Sequence, residues 1–329
     1  MKKQVFEIGE NDAGQRADKF LLKACRGLPQ SLLYKTFRKR DVKVNGRRIA
    51  AETFLQSGDQ LVIFLPDDIV SVPKKAVLQQ KLPMPEIVYE DAQIVLMKKT
   101  VNLPVHADGK GSADTLAARF LQYLQQSGAY DADREQSFSP ALCNRLDRNT
   151  EGFVIGAKTA AALRTMNEKI RLGEVQKEYF CITVGVPKKQ TAVVTAYHRR
   201  LPGQNAEYSA VPCEGFREIR TGYRVLAEKD GLALVQVRLY TGRTHQIRLQ
   251  MAALGCPVLG DGRYGDAAAN RKYHESYQLL AACMLSFPFS ATETVCDALR
   301  GRQFAYLPDF CVKYGLLPDE ERFRCNTGK

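Results

Sequence analysis

Apolar positions along the chain fall into short runs and short periodic stretches, with no long apolar span. Val42-Lys43-Val44 alternates, Asn45-Gly46 supplies the favoured two-residue turn, and Arg47-Arg48-Ile49 returns, which predicts a β-hairpin. Gly58-Asp59 opens another strand, Leu61 to Leu65. Ahead of the hairpin, Phe20, Leu21 and Ala24 mark one short helix; Leu32, Leu33, Thr36 and Phe37 mark a second, with Ser31 as its N-cap. Ile87-Val88-Tyr89 and Ile94 to Met97 read as strands joined by a turn at Glu90-Asp91. Ser112 to Gly128 is the clearest helix: a Ser cap, Leu116, Phe120 and Leu124 on one face, and a terminal Gly.

The second half continues in the same mixture. Phe153 to Ala157 reads as a short buried strand. Thr159 to Gly173 follows as a helix with Leu163, Met166 and Ile170 inward and Lys158, Arg164, Lys169 and Arg171 available to phosphates. Glu178 to Val186 is a strand carrying Tyr179, and Val235 to Tyr240 alternates cleanly. Thr244 can cap a helix whose Ile247, Met251 and Leu254 form one face, ended by Gly255. Arg248 then sits at the flank of the buried stripe, where a half-buried side chain can reach a carboxylate. Pro66 to Pro85, with four Pro and several Lys and Gln, reads as a linker. The expected domains are therefore residues 1–65 and 86–329, in keeping with a length that suggests two.

Charge is the first feature to narrow the function. The chain carries a net +12, and residues 1–65 hold thirteen Lys plus Arg against seven Asp plus Glu, so half the excess lies in a fifth of the length. Lys35, Arg38, Lys39, Arg40, Lys43, Arg47 and Arg48 face one acid, Asp41. A helix pair followed by a basic hairpin places cations along one edge, where they can neutralise phosphates without reading bases. Charge by itself does not separate RNA, DNA and an anionic membrane surface. The N-terminus turns acidic before any apolar run develops and no apolar run reaches about 18 residues, so a cytoplasmic protein without membrane spans is expected.

Nine Cys are spread singly with no CxxC pair, and the four His lack ligand spacing, which argues for reduced thiols and against a metal. Cys143 and His245 have only their presence to recommend a Cys–His protease. Gly260 to Gly265 satisfies GxGxxG but follows a helix and Pro257 rather than opening a βαβ unit, so a dinucleotide site fails its context. The stretch of most interest is Asn144-Arg145-Leu146-Asp147-Arg148-Asn149-Thr150-Glu151-Gly152, a loop entering a strand, in which two Arg flank one Asp. Nearby cations favour an ionised carboxylate, suited to a nucleophile or an electrostatic anchor, while the bland alternative is a surface loop whose Asp pairs with its neighbours.

This stretch resembles the second motif of the RluA-type pseudouridine synthases, an Arg-Leu-Asp followed by Thr, a small residue and Gly. Lys98 to His106 resembles the family's first motif, with Thr100 where Pro is usual. The segment TGRTHQIRLQMAALGCPVLGDGRYG resembles its third, VQKEYFCITVG its Tyr-bearing strand, and Leu279 to Phe289 its late strand. Gly14 to about Leu65, through VNG and GDQL, resembles an S4 RNA-binding domain. The resemblance implies a small α+β S4-like domain followed by a larger α+β catalytic domain on a mixed or antiparallel sheet.

The family isomerises uridine in RNA: the bond from C1′ to N1 breaks, the uracil turns, and C1′ rejoins at C5. No cofactor, redox partner, ATP or metal is implied. Carried over residue by residue, Asp147 is the essential carboxylate, either attacking C1′ or abstracting a sugar proton. Arg248 pairs with it, Tyr179 packs against the base and is a candidate to assist removal of the C5 proton, and Arg145 occupies the space of the flipped nucleotide. Arg148 and Arg243 become phosphate contacts, as do the basic residues of the S4-like segment; Lys99 and His106 are packing or phosphate residues. Asn144 stands where the family usually has His and Glu151 where a small residue is usual, which opens altered substrate choice or weakened activity. The implied partner is 23S ribosomal RNA, with tRNA or a catalytically silent RNA-binding role as alternatives, and a monomer is expected.

Overall fold

The computed structural model describes residues 2–25, 27–66, 81–107, 111–200, 206–290 and 293–318. Most of the Pro66 to Pro85 linker, residues 67–80, lies outside the described residues. The chain begins with β1 (Lys2–Glu7), α1 (Ala17–Ala24), α2 (Gln30–Arg38), β2 (Val42–Val44), β3 (Arg47–Arg48) and β4 (Gln60–Leu65). These strands form their own antiparallel sheet, ordered β1-β4-β2-β3. Phe20, Leu21, Leu33, Leu55 and Ile63 belong to a core drawn from residues 8–65 alone. Asn45 and Gly46 have φ values of 51° and 76°, the left-handed pair that a two-residue hairpin turn requires. Ser31 is not the cap of α2: the helix starts at Gln30 after an extended Pro29, whose fixed φ suits a helix entrance.

The remainder runs β5 (Glu86–Glu90), β6 (Ile94–Lys99), α3 (Leu116–Gln126), β7 (Ala141–Leu142), β8 (Glu151–Ala157), α4 (Ala160–Arg171), β9 (Gln176–Val184) and β10 (Thr191–Arg200). Then come β11 (Ala206–Ser209), β12 (Arg217–Lys229), β13 (Leu232–Leu239), α5 (Gln246–Ala253), α6 (Ala267–Lys272), β14 (Leu280–Ser286), β15 (Gln303–Ala305) and α7 (Asp309–Tyr314). One mixed sheet takes all eleven strands, with its main path β11-β10-β12-β13-β9-β14-β8-β6-β5. Among the described residues, only β8 and β14 pair in parallel. Adjacent residues alternate between its two faces: Val95, Met97, Val154, Tyr179 and Cys181 pack on one side with α3 and α5. Ile94, Leu96, Phe153 and Ile155 pack on the other with α4. Covering both faces is why these strands read as near-continuous apolar runs.

Two more helix starts differ from the sequence expectation. Thr115, not Ser112, caps α3, its hydroxyl accepting from the Ala118 N–H, because the turn before it already contains several cap-capable residues. Helix α5 starts after His245 in a left-handed conformation (φ 56°) rather than on a Thr244 cap. Lys169 is buried, with Nζ 2.6 Å from a Glu174 carboxylate oxygen, so it offers nothing to a phosphate. A polar seam joins the two parts of the chain: Asn11 donates to Glu135 at 2.6 Å, Gln15 to Ser137 at 2.9 Å, and the Ala160 N–H to Asn11 Oδ1 at 3.0 Å.

Candidate active site

The loop between β7 and β8 holds Asp147, and its backbone is fixed at several points. Asn144 acts as a strand extension, its Oδ1 accepting from the Ile155 N–H at 2.8 Å and its Nδ2 donating to the Phe153 carbonyl at 3.2 Å. The Thr150 N–H returns to the Asp147 carbonyl at 3.1 Å. Fully buried Lys99 donates to the carbonyls of Thr100, Leu103 and Arg148 at 2.9, 2.8 and 2.8 Å, tying the first motif to the second. Burial pushes the Lys99 ammonium down to about 7, against the opposing pull of Asp147 and Glu151. Gly152 closes the loop: with φ at 123° and the Ala282 carbonyl oxygen 2.3 Å from where a Cβ would stand, no larger residue fits the parallel contact of β8 with β14.

Arg248 reaches Asp147 from the first turn of α5. Its Nη1 donates to Asp147 Oδ2 at 3.0 Å, while Nε and Nη2 grip Asp261 at 2.7 and 2.8 Å. The Asp261 side chain is 0% exposed, that of Arg248 9% and that of Asp147 20%, so the guanidinium is anchored from below and presents its remaining edge upward. Burial alone would raise the Asp261 carboxyl; the Arg248 guanidinium and the N–H groups of Arg263 and Tyr264 outweigh it and leave the group below the usual carboxylate range. The Arg248 guanidinium also lies 5.4 Å from the Tyr264 ring centre, and the Tyr264 hydroxyl is 3.1 Å from His245 Nδ1. His245 Nε2 stands 3.7 Å from Asp147 Oδ2.

Asp147, Arg248 and Tyr179 share the wall of one cavity of about 790 Å³. Arg145, Arg199, Arg217, Arg238 and Arg243 line it as well, so its charge is strongly positive. Tyr179, 6% exposed, is pushed above the usual phenol range by burial, then by the Asp147 carboxylate, and stays protonated. That favours a ring platform over a phenolate base. A second cavity of about 370 Å³ adjoins Asp147 and shares Arg145, Arg248 and His245 with the first while adding His106, Arg148 and Asn149. Arg145 and Arg148 are exposed.

Among the described residues, no group of three or more His, Cys, Asp or Glu comes together as a metal site, and no helix is long and apolar enough to cross a membrane. Burial pushes the Cys143 thiol up to about 12, which removes it as a thiolate nucleophile. Glu151 lines neither cavity next to Asp147; the charges acting on it are those of Lys98, Asp309, Lys99 and Glu86.

Sequence reasoning missed Asp261. It lies inside the GDGRYG run whose phosphate reading fails, and the useful signal was a lone acid next to glycines behind the basic helix. Gly265 is a glycine because the Asp261 carbonyl oxygen lies 2.2 Å from where its Cβ would be. Arg199, Arg217 and Arg238 were also missed, since nothing in β10, β12 or β13 marks them apart from other surface cations. Buried Gln246 escaped notice too: its Oε1 accepts from the Thr241 hydroxyl and the Arg243 N–H at 2.9 and 3.0 Å, shaping the loop that carries Arg243.

Comparison with known proteins agrees with this geometry. The family model for RNA pseudouridylate synthase matches residues 93–253, which span the first motif to the end of α5. The ribosomal large subunit pseudouridine synthase C of Haemophilus ducreyi is 31% identical over 278 residues, covering 83% of each chain. The chain belongs to the RNA pseudouridylate synthase family. It is a pseudouridine synthase, an isomerase with an RNA substrate. The protein of the same name from Vibrio vulnificus is 31% identical over 301 residues, 89% of this chain and 90% of that one. In fold, the structure resembles human RNA pseudouridylate synthase domain containing 4, with a TM-score of 0.56 and 23% identity over 71% of this chain and 95% of that chain.

Proposed function

We propose that this synthase converts uridines of 23S ribosomal RNA to pseudouridine with Asp147 as the essential carboxylate. The observation that carries the reading is the Asp147–Arg248–Asp261 chain of ion pairs in the wall of a cationic cavity large enough for a nucleotide. The ribosomal substrate is carried over from the relatives named ribosomal large subunit pseudouridine synthase C, which span more than four-fifths of this chain.

In this reading the target nucleotide leaves its stack, at a cost of a few kcal/mol, and exposed Arg145 takes its place in the RNA. The uracil lies against the Tyr179 ring. Asp147, oriented by Arg248, acts at the ribose; C1′–N1 opens, the base turns, and C1′–C5 forms. The C5 proton is lost and N1, freed when C1′–N1 opened, takes up one, so atoms balance without a cofactor. Arg148 and Arg243 hold flanking phosphates. The N-terminal unit is an S4-like RNA-binding domain, joined through the 66–85 linker to a synthase domain of residues 86–329. Its exposed Lys35, Arg38, Lys39, Arg40, Arg47 and Arg48, with half-buried Lys43, supply sequence-independent phosphate contacts. The enzyme works as a cytoplasmic monomer.

The reading is tested by incubating purified protein with unmodified 23S transcript and mapping pseudouridine. Wild type should modify discrete uridines and Asp147→Asn none; an unmodified transcript from wild type, under conditions where it binds RNA, would contradict the proposal.

A further inference from the structure

Among the described residues of the cavity wall, His198 alone has buried side-chain polar atoms left unpaired. It lies in β10, is 6% exposed, and neither ring nitrogen has a hydrogen-bond partner. A buried polar group left unpaired penalises the fold, and a merely structural position would carry an apolar residue or a partnered one. Burial, and after it the charges of Arg243 and Arg217, hold its pKa below the usual histidine value, so the ring is neutral at neutral pH. A neutral imidazole offers one donor and one acceptor on opposite edges, which two separate groups must satisfy.

The surroundings say which groups. His198 lines the same cavity as Asp147, beside Arg199, Gly215, Arg217 and Arg243. Arg199 is held by Glu207 at 2.7 Å and stacks over Phe216. Arg217 and Arg243 are exposed, and their side chains make no ion pair or hydrogen bond among the described residues. They are therefore available to swing onto phosphates and uncover the ring between them. A strand of RNA lying along these arginines presents, within one nucleotide, a phosphate oxygen that accepts and a ribose 2′-hydroxyl that donates.

We propose that His198 bridges the phosphate and the 2′-hydroxyl of a nucleotide flanking the target, making it a residue by which the enzyme selects RNA over DNA. The inference rests on the RNA-modifying reading of this cavity but concerns binding, so its test needs no turnover. The full-length protein is titrated with single-stranded oligouridylate, oligodeoxyuridylate and 2′-O-methyl oligouridylate of one length and label. Wild type should bind the first about tenfold more tightly than the other two, the worth of one or two hydrogen bonds. His198→Leu should lose that preference by weakening only the RNA complex, while His198→Gln, which keeps a donor and an acceptor, should retain part of it. His198→Leu should also raise the melting midpoint by about 2 to 4 °C, since an unpaired polar ring is removed; a structural role would lower it. Equal binding of all three oligomers by wild type overturns the proposal, and so does an unchanged preference in His198→Leu. Neither result bears on whether wild type forms pseudouridine, and absence of pseudouridine would not restore or remove the preference.

Discussion

In the N-terminal unit the cations stand in water: Lys35, Arg38, Lys39, Arg40, Arg47 and Arg48 are exposed and form no ion pair among the described residues. Beside Asp147 the key cation is out of it, Arg248 being held between two carboxylates with its side chain 9% exposed. Exposed charges act through a shared, screened field and are nearly interchangeable. A buried ion pair is a matched set, and losing one member leaves the other without compensation. Substitutions should therefore cost much at single positions in the catalytic unit and little, but cumulatively, in the basic unit.

The largest expected effect is at Asp147. Asp147→Asn should reduce pseudouridine formation by at least about four orders of magnitude, with oligouridylate affinity within about twofold of wild type. A parallel loss of binding would mean that the carboxylate organises the cavity rather than the chemistry.

Next is the anchor beneath Arg248. Asp261→Asn leaves the guanidinium half-paired in a buried place and should cost about 3 to 5 kcal/mol in urea unfolding, together with a rate loss of about 10- to 100-fold. The same residue sets an acid limit. Its folded-state pKa is depressed, so the unfolded chain binds the extra proton first, and the stability it contributes is present above the ordinary carboxylate value, about 3.9, and lost as pH falls through the folded value. The urea midpoint of wild type should drop below about pH 4, and Asp261→Asn should show a shallower drop over that range. Identical acid profiles would remove Asp261 from the account.

Lys99→Met comes third. It removes the donors to three carbonyls, including that of Arg148, and should cost about 2 to 4 kcal/mol while raising KM, because the loop carrying Asp147 loosens. The smallest effect is in the basic unit, where replacing Lys39 and Arg40 with Ala should weaken RNA binding several-fold and lower its salt slope by about 2, with kcat unchanged. Salt dependence identical to wild type would take this patch out of RNA binding.

The sequence made some of this contrast readable. Asp147, Arg248 and Tyr179 were legible because each sits in a motif of fixed spacing, and the structure brings all three into one cavity. The Asn45-Gly46 hairpin was legible because its backbone demands are local. Asp261 was not, because its role exists only when the loop after α5 folds back 13 positions onto Arg248. The same holds for His198, whose meaning depends on strands β10 and β12 lying side by side, with His198 opposite Arg217. Strand β1 was missed since its residues are mostly exposed and polar, and it becomes a strand only by pairing with β4. Asn144 and Glu151 looked like threats to the chemistry on sequence alone. Asn144 braces β8 from the wall of the cavity that holds Asp147, while the acid at 151 lines neither cavity beside Asp147.

The most direct measurement of the central claim is chemical mapping of pseudouridine across 23S ribosomal RNA from cells lacking this protein, complemented with wild type or with Asp147→Asn. The account predicts that specific sites vanish in the deletion, return with wild type and stay absent with Asp147→Asn. Persistence of every site in the deletion, or full restoration by Asp147→Asn, would contradict it.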